Sequence, residues 1–87
     1  MQPKEKIALM DKILRELNDV VNSQESVLKK IAQVEADNIN LNDNELSGVL
    51  PDIHEHVDAA LVATTGLKEK FQVVHDEFAA ANPISEE

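Results

Sequence analysis

The sequence predicts an all-α protein: a long helical hairpin of two antiparallel helices, the second kinked near Pro51, that completes a bundle by oligomerisation. Three observations predict it. Apolar residues recur with a heptad period along most of the chain, Gly and Pro are nearly absent, and the apolar stripe of the first half is too wide for one helical neighbour. Ile7, Met10, Leu14, Leu17, Val21, Leu28 and Ile31 fall on positions a and d of an unbroken heptad count. Ile13, Val20, Val27 and Val34 fall on the adjoining g positions. A coiled-coil seam uses a and d alone, whereas a third apolar position per heptad marks a helix packed in a bundle.

Helix 1 is expected over about residues 3–36. Pro3 suits its first turn, where the missing N–H goes unused. Asp11 with Arg15 and Glu25 with Lys29 are i,i+4 pairs in the favourable order. The stretch Asn22-Ser23-Gln24-Glu25-Ser26 is the weakest, and it places Gln24 at position d. The heptad phase nevertheless continues to Val27, Leu28 and Ile31, so one helix is expected rather than two. A polar side chain at d costs stability unless hydrogen-bonded; it either fixes register or lies near solvent.

The turn is expected over residues 37–42, where Asp37-Asn38-Ile39-Asn40 supplies side chains that bond their own backbone and tolerate left-handed geometry. Asn42 and Glu45 then have the spacing of a capping box, with Leu41 and Leu46 placed as a hydrophobic staple. Helix 2 is expected over residues 43–81, with its stripe read as Leu46, Leu50, Ile53, Val57, Ala60, Thr64, Leu67, Phe71, Val74, Phe78 and Ala81. Pro51 removes a backbone hydrogen bond and predicts a kink. Gly66 offers a helix stop, and a break there makes a three-helix bundle, the alternative architecture. Asn82-Pro83 ends the helix, and residues 82–87 are expected to fray.

The chain has 87 residues, one small helical domain. It has no cysteine, so neither disulfides nor thiolate metal sites assist folding. Oligomerisation is the remaining usual remedy for a small core. The longest apolar run is Ala59 to Ala63, far short of the roughly 20 residues of a membrane span. The opening Met-Gln-Pro-Lys-Glu-Lys is not followed by the apolar segment of a secretory signal. A soluble, intracellular, cytoplasmic protein is expected.

Net charge is −9 and uneven. Residues 1–36 sum to zero, and between Asp37 and Asp58 there are six acids and no base. Such a field repels nucleic acid and anionic membranes, so neither is an expected partner.

His54-Glu55-His56 is the only tempting metal constellation. Helical ligands need i,i+3 or i,i+4 spacing to share a face, and these histidines are two apart. Asp52, Glu55 and Asp58 form a carboxylate row, but acid–base catalysis needs a cleft that shifts carboxylate pKa values. Two glycines cannot build a phosphate loop. No catalytic residue, metal ligand or cofactor site is expected, and the protein is read as a non-enzyme.

The functional expectation is a helical protein–protein interaction module: an adaptor, assembly subunit or regulator. It acts as a homodimer or inside a larger helical complex. Its partner seam is expected at Ile13, Val20, Val27 and Val34, with Phe71 and Phe78 as aromatic anchors. The alternative is an acidic inhibitor in which Asp43, Glu45, Asp52, Glu55 and Asp58 imitate phosphates on a basic target surface.

Overall fold

The computed structural model describes residues 1–83. It is a helical hairpin, α1 spanning Pro3–Leu41 and α2 spanning Asn44–Ala81. The molecule measures 65 × 18 × 17 Å. That length matches a 39-residue helix rising 1.5 Å per residue. The three-helix alternative is excluded, since α2 is continuous through both Pro51 and Gly66. Of the tail expected to fray, Ile84 to Glu87 lie outside the described residues.

Each helix turns one heptad seam toward the other. On α1 the a and d positions from Ile7 through Met10, Leu14, Leu17, Val21, Gln24, Leu28, Ile31 and Glu35 to Asn38 are all buried or half-buried. Met10 and Val21 are the most enclosed apolar residues of α1, and Leu50 of α2. Among the described residues no side chain is fully enclosed. Two cylinders touch along one line, so each seam residue keeps one flank in solvent.

The seam of α2 differs from the expected stripe. Its buried and half-buried residues run Leu50, His54, Val57, Leu61, Thr64, Lys68, Phe71, His75, Phe78 and Asn82. The d row of Leu50, Val57, Thr64, Phe71 and Phe78 is as read from the sequence. Its companion row is His54, Leu61, Lys68, His75 and Asn82, not Ile53, Ala60, Leu67, Val74 and Ala81. Polar partners on α1 explain the choice. His54 Nδ1 lies 2.6 Å from Glu35 Oε1, Lys68 Nζ donates to Asn18 Oδ1 at 2.7 Å, and His75 Nε2 lies 2.7 Å from Asp11 Oδ1. Thr64 satisfies its hydroxyl within its own helix by donating to the Ala60 carbonyl at 2.9 Å.

The connection is shorter than the expected 37–42 turn. α1 continues to Leu41, leaving only Asn42 and Asp43 between the helices. Asn42 adopts the left-handed conformation, with φ 55° and ψ 46°, and its N–H donates to the Asn38 carbonyl at 2.6 Å. Asn42 therefore ends α1 and cannot begin α2. Asp43 is the N-cap, its Oδ2 accepting from the Leu46 N–H at 2.9 Å. The cap is thus displaced by one residue from the expected Asn42, and neither the capping box nor the staple forms. Leu46 occupies the third helical position, where a box needs an acid or amide, and Leu41 is 70% exposed.

Asn38 explains why the helix outlasts its polar sequence. It is buried, and its Oδ1 accepts from the Asp43 N–H at 2.9 Å while its Nδ2 donates to Ser47 Oγ at 2.8 Å. The weak helix propensity of Asp and Asn amounts to a few tenths of a kcal/mol each. Hydrogen bonds linking the last turn of α1 to the first of α2 outweigh that.

Candidate interaction surface

The heptad positions beside the seam divide the hairpin into two unlike sides. In an antiparallel pair the g positions of both helices flank one side of the seam and the e positions flank the other. On the e side stand Asp11, Asn18, Glu25, Ala32 and Ile39 of α1 and Pro51, Asp58, Thr65, Gln72 and Ala79 of α2, polar except near the turn and at Ala79. Here the polar cross-links are made. His75 is held between Asp11 of α1 and Asp76 of α2, with Nδ1 3.0 Å from Asp76 Oδ1. The Asp76 contact first, and then Asp11, raises the His75 pKa above its ordinary value of 6.5, against an opposing effect of burial. The same contact, with Gln72 Nε2 donating to Asp76 at 2.9 Å, lowers the Asp76 carboxyl. Near the turn this side opens into a groove lined by Glu35, Ile39, Leu50 and Pro51.

The g side is apolar along nearly its whole length. Ile13, Val20, Val27, Val34 and Leu41 come from α1, and Ile53, Ala60, Leu67, Val74 and Ala81 from α2, while Leu46 turns into the groove near the turn. Val20, Val27 and Val34 are 43–45% exposed, Leu67 54% and Val74 48%. The antiparallel register sets Val27 at about the level of Ala60. Val20, Val27, Val57 and Ala60 line one open groove on this side, so the two rows of this apolar strip meet at mid-hairpin. At the open end of the hairpin, Lys6 caps the strip with its Nζ 4.4 Å from the centre of the Phe78 ring. Leu9 and Val49, also exposed, border the strip at its two ends.

The expected seam residues separate accordingly. Ile13, Val20, Val27 and Val34 lie together on the outward strip. Phe71 and Phe78 lie on the d row of α2, half-buried within the hairpin. The sequence reading missed the α2 half of the strip, because it assigned Ile53, Leu67 and Val74 to the interior. A signal was present. Residues 54, 61, 68 and 75 are spaced by sevens, and the antiparallel register sets three of them against Glu35, Asn18 and Asp11.

The other candidates occupy different places. Asp43 serves as the α2 cap, while Glu45, Asp52 and Glu55 are exposed on the outer surface of α2 and Asp58 is exposed on its e side. His54 engages Glu35, and His56 is exposed. Among the described residues no three His, Asp or Glu side chains converge on a point where a metal ion would sit. No helix among the described residues is long and apolar enough to cross a membrane.

The surface area has the same message as the strip. A compact monomer of 9.6 kDa exposes roughly 5,100 Å² by the usual scaling. This chain exposes 6542 Å². Comparison with protein-family models, curated proteins and solved structures finds no match to the chain.

Proposed function

We propose that the chain is a non-enzymatic protein–protein interaction module, an adaptor, assembly subunit or regulator, that works by presenting the g strip to another polypeptide. The observation that supports this is the contrast between the two sides of one hairpin. The e side carries its own polar cross-links. The g side carries a row of aliphatic side chains from both helices with nothing among the described residues folded over them. Large contiguous apolar patches on small proteins mark contact sites, and helical grooves of this kind take helical partners.

A photo-activated cross-linker placed at Val27, on the strip, and separately at Gln33, on the outer face of α1, tests the reading under native conditions. Protein adducts, to a second copy or to a different chain, are expected at Val27 and absent at Gln33. Equal yields at the two positions overturn it. A third probe at Glu55 covers the acidic alternative. If adducts form there and disappear between low and moderate salt, the charged face is the functional one. An apolar contact barely responds to screening.

A further inference from the structure

We infer that the occupant of the g strip is a second copy of this chain, packed face to face as a four-helix bundle with the two turns at opposite ends. The inference rests on the interaction reading above and commits it to a partner and a geometry.

Area comes first. A strip running the 65 Å length of a hairpin 18 Å wide exceeds the ~800 Å² per partner of a standard interface. The excess surface of the isolated chain is also of the order that such an interface removes.

Charge then selects the orientation. The half of the hairpin nearest the turn, residues 21–66, carries eight acids and two bases, net −6. The open half, residues 1–20 with 67–83, carries seven acids and six bases, net −1. A pair with both turns at one end sets −6 against −6. A pair with turns opposed sets each acidic half against a nearly neutral one, and like-charge juxtaposition is the costlier arrangement.

The opposed arrangement also makes the apolar rows self-complementary, as a two-fold axis requires. Two α1 helices then run antiparallel across an axis at the level of Ser23. Val20 of one copy meets Val27 of the other, and Ile13 meets Val34. On the border row Glu16 meets Lys30, and by symmetry the pair occurs twice. On α2 the same axis passes Ala63, with Ala60 opposite Leu67 and Ile53 opposite Val74. The residues nearest the axis on the border rows, Ser23 and Ala63, are small, which lets the backbones approach.

The chain has no cysteine, so single introduced thiols report the geometry directly. The full-length protein is expected to have twice its 9.6 kDa mass by light scattering. S23C and A63C are each expected to form a disulfide-linked dimer with themselves under mild oxidation. Cross-linking only between S23C and A63C in a mixture indicates turns at the same end and overturns the proposed orientation. E16K is expected to weaken the dimer roughly tenfold, and E16K/K30E to restore it, since two exposed pairs become repulsive and are then reversed. Val20→Asp and, independently, Val27→Lys are expected to yield helical monomers by circular dichroism and scattering. Dimers unaffected by both use another face, and overturn the inference. A wild-type monomer that still gives Val27 adducts to a different protein overturns the second-copy assignment and leaves the interaction module standing. A wild-type monomer with no such adducts overturns both.

Discussion

His75 Nε2 lies 2.7 Å from Asp11 Oδ1, linking α2 to α1 near the open end of the hairpin. The contact has ion-pair distance without the alignment of a linear hydrogen bond. With Asp76 on the other nitrogen, the imidazolium has a carboxylate at each edge, and its pKa is raised.

The sign of the pH dependence follows. A group whose folded pKa exceeds its unfolded value stabilises fully below the unfolded value, here near 6.5, and that contribution is lost as pH rises through the folded pKa. The thermal midpoint is expected to fall as pH rises from 6.5, and His75→Gln to flatten that part of the profile. Asp76 acts in the opposite window, its contribution present above 3.8 and lost as pH falls through the lowered value. NMR titration of the His75 ring protons is the direct check, and a midpoint below 6.5 contradicts the geometry.

At the turn, Asp43→Ala is expected to cost about 1 kcal/mol, the usual value of a helix N-cap. Asn42→Gly should cost nothing, because a left-handed residue gains from glycine. Urea denaturation of the two variants separates this turn from one capped by Asn42, for which the order reverses.

Gln24 stands at position d with its Oε1 buried and without a hydrogen-bond partner. Replacing it with leucine removes an unsatisfied acceptor and extends the apolar seam. Gln24→Leu is expected to raise stability by about 1–3 kcal/mol. Calorimetry showing a lower midpoint would mean that Gln24 has a role in register that its contacts do not reveal.

Gly66 sits inside α2 without a positive φ, and a Cβ added there meets nothing within 4 Å. Gly66→Ala is therefore expected to stabilise the helix by roughly 0.5–1 kcal/mol. The same substitution at a helix stop would destabilise, so chemical denaturation checks the continuity of α2 independently.

The legible parts of the sequence were those set by periodicity. The heptad phase from Ile7 to Ile31 predicted one long α1 across the poor helix formers at 22–26, and the structure has it. The outward placing of Ile13, Val20, Val27 and Val34 was also readable, since these positions stand beside the a and d seam rather than on it. The turn was located but misplaced. Asn38 looks like a loop residue in sequence, and only the approach of Asp43 and Ser47 makes it a helical one.

Amino-acid order alone gives long amphipathic helices and more aliphatic surface than one helical neighbour can cover. Both follow from side-chain spacing, which is a local property. Tertiary structure alone decided which face of α2 turns inward. The d row of α2 has two possible companions, one apolar and one containing His54, Lys68 and His75. Sequence hydropathy favours the first. The antiparallel register brings Glu35, Asn18 and Asp11 against the second, and pairing those polar groups within the hairpin leaves the apolar row outside.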